Sequence, residues 1–187
     1  MQQVIEEGKK YSLEEYIKID ETGTVRHEYY NGKLFEMPGA SILHNDICLQ
    51  LYFILRSLLK LYGYRVNVEN VKVKIENEDI YLYPDVLVTS EQFQTLKDYI
   101  VHQPILIAEV LSESTRKHDL TDKFILYQKI STLKYYLAVE PEKHLVLFYE
   151  KNDEGEWLAK TYTELNEVIE LKSLNTAIKL QDIYSSS

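Results

Sequence analysis

An almost continuous apolar run from Pro104 to Leu111 contains a single charged residue, Glu109. A short run of this kind is typical of a strand in the middle of a sheet that is covered on both faces. An ionised carboxylate in such a strand is costly unless it is paired, neutralised or bound to a metal ion. The chain must therefore cover both faces of this strand and provide Glu109 with a partner.

The composition is that of a globular protein with regular elements. The chain has 187 residues, of which 45% are hydrophobic and 27% charged, with 16 Tyr, 6 Gly and 4 Pro. This length fits a single domain over residues 1–187, with a short frayed tail at 185–187. The N-terminus lacks the apolar core of a signal peptide and the apolar runs are too short to span a membrane, which predicts a cytoplasmic protein. The lone Cys48 is interpreted as a small buried residue.

Helix and strand patterns alternate along the chain. Ser12-Leu13-Glu14-Glu15 has the spacing of a capping box and predicts a helix to about Ile19. Asn31-Gly32 lies between two strand patterns and predicts a hairpin over 27–37. The other predictions are a helix over 42–62, a strand over 64–75 with a bulge or bend between Val68 and Val71, a strand over 80–89 interrupted by Pro84, a helix over 119–130, and strands over 135–139, 145–150 and 157–162. This order predicts an α/β or α+β fold around one mixed central sheet flanked by helices.

Three parts of the chain carry the side chains of a candidate site. Asp85 follows Pro84 at the entry to one buried strand, and Glu109 lies inside another, so the two carboxylates converge if these strands are neighbours. Two carboxylates with waters suit Mg²⁺ or Mn²⁺. Asp119, Lys123 and Tyr127 are spaced by four and share one face of the next helix, from which Lys123 could position water or stabilise a charged transition state. These are the groups that phosphodiester hydrolysis needs.

The sequence Pro84-Asp85, followed by Glu109, resembles the PD-(D/E)xK nuclease superfamily, to which many restriction endonucleases belong. The usual pattern has a Lys two residues after the second carboxylate, and this position is Leu111 here. One branch of the superfamily carries the Lys on the following helix, where Lys123 matches it.

A longer stretch, roughly Tyr11 to Tyr149, resembles the Uma-type endonucleases. The matching motifs are Arg26-His27-Glu28-Tyr29-Tyr30-Asn31-Gly32-Lys33, then Met37-Pro38-Gly39-Ala40 with His44, then Glu109-Val110-Leu111-Ser112-Glu113-Ser114-Thr115 with Asp119, Lys123 and Tyr127. The resemblance implies a restriction-endonuclease-like fold with an N-terminal hairpin, and hydrolysis of DNA with Mg²⁺ or Mn²⁺. It further implies that Asp85 and Glu109 bind the metal, that Lys123 and Glu28 act in catalysis, and that His44, Asp119 and Tyr127 are accessory. A homodimer fits, because cutting a duplex needs two sites.

Each candidate residue also has an ordinary structural explanation. Asp85 could cap a turn, and Glu109 could form a salt bridge with Lys123 in a site without metal. Lys123 alone could be a solvated lysine, and Tyr127 a core residue with a bonded hydroxyl. Glu28 could be a surface strand residue.

Two further interpretations remain open on the helix side of the site. His44 could act near the metal ion or cap its helix. The segment Arg116-Lys117-His118 is interpreted as a solvated loop that could contact phosphate.

A second class of function, a catalytically inactive nuclease-fold module for binding or regulation, is also open. The formal net charge of −9 counts against a general nucleic-acid binder, and Leu111 replaces the usual lysine. The intact set of Asp85, Glu109 and Lys123 favours an enzyme.

Overall fold

A computed structural model describes residues 9–93 and 99–185. The first eight residues and Ser186 and Ser187 of the predicted frayed tail lie outside the described residues. The α-helices are α1 (Leu13–Thr22), α2 (Ile42–Leu59), α3 (Arg116–His118), α4 (Phe124–Tyr127) and α5 (Leu180–Ile183). The strands are β1 (His27–Tyr30), β2 (Lys33–Glu36), β3 (Arg65–Val68), β4 (Lys72–Lys74), β5 (Ile80–Leu82), β6 (Val86–Thr89), β7 (Ile100–Val101), β8 (Pro104–Val110), β9 (Tyr135–Glu140), β10 (Leu145–Lys151), β11 (Trp157–Tyr162), β12 (Val168–Leu171) and β13 (Thr176–Lys179).

The strands form two large sheets and one small one. The larger sheet has the order β11-β10-β9-β8-β6-β3 and the second has the order β2-β1-β5-β4-β7, while β12 and β13 form a hairpin. The pairs β8–β9 and β4–β7 are parallel, and the other described pairs are antiparallel. The mixed α/β architecture is confirmed, but its strands are divided between sheets instead of forming one.

Strand β8 is covered on both faces, as its apolar run predicts. Leu106, Ala108 and Val110 belong to the apolar cluster that packs under α2. Ile107 belongs to a second cluster, together with residues of α4. The alternation of a strand therefore sends successive side chains into two separate layers. Among the described helices, none combines the length and apolarity needed to cross a membrane.

The N-terminal helix and hairpin form where their local signals predict them. The Ser12 hydroxyl accepts from Glu15 N–H and the Glu15 side chain accepts from Ser12 N–H, which completes the capping box of α1. This helix continues to Thr22, three residues beyond the prediction. Asn31 and Gly32 have φ angles of 49° and 91°, the positive values that a type I′ turn between β1 and β2 requires.

Two predicted strands each divide between the sheets. Strand β3 lies in the six-stranded sheet and β4 in the five-stranded one, because Glu69 and Asn70 both adopt positive φ angles, 46° and 52°. The predicted bulge is therefore a full turn. The strand predicted over 80–89 divides in the same way, into β5 and β6 on either side of Tyr83–Asp85. The Glu69 N–H donates to the Asp85 carbonyl at 2.8 Å. These two crossings between the sheets, residues 69–70 and 83–85, lie side by side. They place Asp85 at the boundary between the two sheets, the seam.

The helix predicted over 119–130 begins earlier and contains an irregular turn. Helix α3 leads directly into a π-helical turn, Asp119–Lys123, and then into α4. The segment Arg116–His118 is therefore helical and not a loop. The reason is local, because Ser112 accepts from Thr115 N–H through its hydroxyl and from Arg116 N–H through its carbonyl.

Candidate functional site

The seam between the sheets opens into a cavity of about 970 Å³. Its walls come from the β1–β2 hairpin, the start of α2, the two crossings, the end of β8 and the segment that leads into the π-helical turn. Among the described residues, its acidic lining residues are Glu28, Glu36, Glu69, Asp85, Glu109, Glu113 and Asp119, and its basic ones are Arg26, His44, His118 and Lys123. The lining is therefore predominantly acidic, which favours a bound cation over a bare phosphate.

Asp85 and Glu109 are tied to each other through the main chain. The Asp85 N–H donates to Glu109 Oε2 at 3.2 Å, and the Val110 N–H donates to Asp85 Oδ2 at 2.7 Å. Strands β6 and β8 are neighbours, as convergence of the two carboxylates required. The Asp85 side chain is thus held by the end of β8 instead of capping its own turn.

Lys123 lies at the centre of a cluster of carboxylates. Its Nζ is 3.0 Å from Glu28 Oε1, 3.1 Å from Glu109 Oε1 and 3.6 Å from Asp119 Oδ1. Only 7% of the residue is exposed, which excludes the solvated lysine. The salt bridge between Glu109 and Lys123 is present, and the Tyr127 hydroxyl donates to the same Glu109 Oε1 at 2.9 Å. Tyr127 is also fully buried, so it both packs in the core and holds the carboxylate.

Burial and mutual repulsion set the protonation of this cluster. Burial raises the pKa of Glu109 well above its usual range; Lys123 opposes the rise, and Asp85 and Asp119 reinforce it. Burial also raises the pKa of Asp119 despite Lys123. For Lys123 burial acts in the opposite direction, but Glu109 and Glu28 outweigh it and raise its pKa well above the usual value. The ammonium therefore stays charged, while burial and the neighbouring carboxyl groups disfavour the ionised forms of Glu109 and Asp119.

Glu28 is a buried member of the site and not a surface strand residue. It is 1% exposed, accepts from Tyr83 N–H at 3.2 Å, and accepts from the Tyr30 hydroxyl at 3.2 Å. His118 Nε2 lies 3.0 Å from the Tyr30 hydroxyl and 3.9 Å from Glu28 Oε2. Tyr30 was part of the matching motif but was not predicted as a site residue, although its position two residues after Glu28 puts both side chains on one strand face. His118 lies at the cavity wall and not in a loop.

His44 contacts Asp85 and leaves the capping of α2 to Ser41. The Ser41 hydroxyl accepts from His44 N–H at 3.1 Å, while His44 Nε2 lies 3.2 Å from Asp85 Oδ2. Burial lowers the pKa of His44, but its hydrogen bond to Asp85 outweighs this, so the pKa is raised. Among the described residues, one group of ligand-type atoms from His44, Cys48 and Asp85 lies within 4.8 Å. Burial raises the pKa of the Cys48 thiol, which therefore stays protonated and is a poor ligand for a hard cation.

Tyr83 links the site to a second buried network that the sequence did not indicate. Its carbonyl accepts from Lys123 Nζ at 3.4 Å, and its hydroxyl donates to Asp20. Asp20 in turn pairs with Lys72 at 2.7 Å, and both side chains are almost fully buried. Lys72 comes from β4 and Asp20 from α1, which are too distant in sequence for any local pattern to reveal their contact.

The divided mixed sheets and the cluster of Asp85, Glu109 and Lys123 at their seam define a protein of the restriction-endonuclease-like class. Residues 13–181 match the Uma2 family, described as "Putative restriction endonuclease". The chain belongs to this family.

Two relatives from Synechocystis sp. span nearly the same length. The uncharacterized protein slr1290 is 33% identical over 175 residues, which cover 94% of this chain and 92% of the relative. The uncharacterized protein sll1609 is 31% identical over 157 residues, which cover 83% and 89%. A crystal structure from Anabaena variabilis, described as a "putative nuclease belonging to DUF820", superimposes with a TM-score of 0.76 at 17% identity, covering 94% of this chain and 98% of that one. At this identity the likeness shows the shared fold.

Proposed function

We propose that this protein is an endonuclease that hydrolyses phosphodiester bonds of DNA with the help of Mg²⁺ or Mn²⁺. The observation that carries the proposal is the convergence of Asp85, Glu109 and Lys123 in one buried, acidic cavity. Membership of the Uma2 family and the nuclease-type fold support the same reaction class.

The donor set fits a hard divalent cation. Asp85, which directly precedes β6, and Glu109 of the neighbouring β8 supply carboxylate oxygens, the ligand type that Mg²⁺ and Mn²⁺ prefer. The carboxyl groups of Glu28 and Asp119 share the ammonium of Lys123 with Glu109, so a further cation would favour their ionised forms. Asp85 and Glu109 would hold the ion, which would supply Lewis acidity toward a phosphate oxygen and acidify a water molecule.

The other side chains would orient the reacting groups. Lys123 remains an ammonium, so it can donate a hydrogen bond to water or to a phosphate oxygen but cannot remove a proton. Glu28 would keep Lys123 in place, and the Tyr127 hydroxyl would fix the Glu109 carboxylate. His44 would hold Asp85 from the side of α2. These contacts preorganise the cluster before substrate arrives.

Calorimetric titration with Mn²⁺ and Mg²⁺ tests the metal site directly. The wild type should bind the ion, whereas Asp85→Asn and Glu109→Gln should each lose binding because a neutral amide replaces a charged ligand. Glu113→Gln is the matched control, since this exposed rim carboxylate lines the same cavity and makes no contact with Lys123 among those described. Its binding should match that of the wild type.

A plasmid-cleavage assay then tests the reaction. Metal-dependent nicking by the wild type and its loss in Lys123→Met, with metal binding retained, would support the proposal. Absence of metal binding by the wild type, even with DNA present, would instead favour a catalytically inactive binding module. One observation favours that second function: Glu109 and Lys123 already satisfy each other in a site where Leu111 replaces the usual lysine.

A further inference from the structure

Helix α2 has a narrow solvent-facing stripe on the side opposite its core face. The core face contains Ile47, Leu51, Leu55 and Leu59, each no more than 1% exposed. The opposite stripe repeats at alternating spacings of four and three and contains Ile42, Asp46, Leu49, Phe53, Arg56 and Lys60. At roughly 100° per residue, the stripe covers an arc of about 80°.

The apolar members of this stripe are unusually exposed. Ile42 is 83% exposed, Leu49 47% and Phe53 65%, and Leu61, just beyond the helix, is 91% exposed. Single exposed apolar residues are ordinary, but several aligned along one helix face are typical of a surface that packs against another protein.

The order of residues along the stripe makes it complementary to itself. Suppose that two copies of α2 pack antiparallel through this stripe, with a two-fold axis at the level of residue 51 along the helix. Leu49 then meets Phe53 of the second copy, and Asp46 meets Arg56 of the second copy. Ile42 then lies beside Lys60 and Leu61 of the second copy. A two-fold axis forms each of these contacts twice, and a parallel arrangement would instead place Arg56 against Arg56.

We propose that this stripe is the interface of a homodimer in which two α2 helices pack antiparallel, with the two-fold axis at the level of residue 51 along the helix. Its register pairs apolar with apolar residues at the centre and acid with base on either side. This self-complementary charge pattern is what selects a second copy of the chain over another partner.

Sedimentation equilibrium from low to high micromolar concentration gives the dimer dissociation constant. Phe53→Asp should raise it about 30-fold or more, because it puts charge at the centre of the apolar contact. Leu158→Asp is the matched control, since Leu158 is 54% exposed on β11, away from α2, and its substitution should leave the constant unchanged. Circular dichroism of each variant checks that the chain still folds.

Charge reversal tests the register. Asp46→Arg and Arg56→Asp should each weaken the homodimer about tenfold or more, because each puts like charges opposite one another. An equal mixture of the D46R and R56D chains should dimerise again, since one offers two arginines and the other two aspartates along the stripe.

The outcomes separate clearly. Restored dimerisation on mixing the two reversed chains supports the antiparallel register centred on position 51. A wild type that stays monomeric at every concentration overturns the proposal, as does a dimer that none of the stripe variants weakens. Weak dimers of both reversed chains that mixing fails to restore overturn the register.

Discussion

Lys123 and Glu109 lie 14 residues apart in the sequence, and in the fold Nζ of Lys123 lies 3.1 Å from Oε1 of Glu109. The strand alternation points the side chain of residue 111 to the same side as Glu109. Leu111 fills an apolar cluster there together with Phe124 and Tyr127 of α4. The helix thus supplies the ammonium of the site. Leu111 and the apolar side chains of α4 fill the space where the usual superfamily pattern places a lysine.

Replacing Lys123 should expose the charge imbalance of the site. Lys123→Met leaves buried carboxylates without their cation and should destabilise the metal-free protein by about 3–5 kcal/mol. Mn²⁺ should then stabilise the variant more than the wild type, because the ion takes over the neutralising charge. Urea unfolding with and without Mn²⁺ measures both effects, with the half-exposed Lys129→Met as control. An equal loss of stability in both conditions would contradict the metal site.

Glu28 should act by positioning and not as a metal ligand. Glu28→Gln retains an oxygen that can accept from Tyr83 N–H but weakens the hold on Lys123. We expect nearly unchanged Mn²⁺ affinity and a fall in cleavage rate of about 10- to 100-fold, the cost of a displaced catalytic group. Calorimetry and plasmid cleavage check the two quantities separately. A loss of affinity as large as in Asp85→Asn would make Glu28 a ligand.

DNA binding should depend on a divalent ion, because the lining of the cavity is predominantly acidic. Ca²⁺ is a hard cation that takes oxygen ligands, so it can test binding separately from cleavage. Fluorescence anisotropy of a labelled duplex should show an affinity about tenfold or more higher in Ca²⁺ than in chelator, at constant ionic strength. Asp85→Asn should remove this difference. Equal affinity in the two conditions would show that DNA binds elsewhere on the surface.

The buried pair of Asp20 and Lys72 should make stability depend on pH. Burial by itself raises the pKa of Asp20, but hydrogen bonds from Lys72 and Tyr83 outweigh it and hold the pKa below the ordinary value of 3.8. The folded state thus favours the ionised carboxylate. Its contribution is fully present above the unfolded-state pKa and is lost as the pH falls through the lower folded-state value. Urea unfolding from pH 5 to about pH 2 should show a larger loss of stability near the acid end of the range in the wild type than in Asp20→Asn.

The same pair gives a second, alkaline signature. Asp20→Asn should cost about 3–5 kcal/mol at neutral pH because the Lys72 ammonium stays buried without its partner. Burial already lowers the pKa of Lys72, so the variant should regain stability as the pH rises and Lys72 loses its proton. Adding Lys72→Met to the variant should recover part of the loss. Glu78→Gln, in the exposed pair with Lys129, is the control and should change stability by less than about 1 kcal/mol.

Local signals in the sequence predicted most of the helices and strands up to β11. The capping box at Ser12, the Asn31-Gly32 turn and the apolar run around Glu109 each depend on neighbouring residues, and each has the predicted structure. The resemblance to Uma-type endonucleases brought Lys123 and Glu28 into the same prediction, and the fold places Lys123 in contact with both Glu28 and Glu109.

The features that the sequence could not predict are set by long-range pairing. Alternation in 64–75 and 80–89 describes strands correctly but does not say that each continues into another sheet, which depends on partners far along the chain. The β12–β13 hairpin and α5 were not predicted either. Their buried residues, such as Ile169 and Leu180, complete the core under α2.

The π-helical turn over Asp119–Lys123 makes chain length as important as residue type in this segment. Such a turn accommodates one residue more than an α-helix does. Deleting a single residue from 120–122 would remove this extra residue and let the helix close as a regular α-helix. The spacing of Asp119 and Lys123 would then fall from four residues to three, which would change where the Lys123 ammonium lies among the carboxylates while the helix itself survived. Relatives that keep this chemistry should therefore differ by substitution within this turn and not by insertion or deletion.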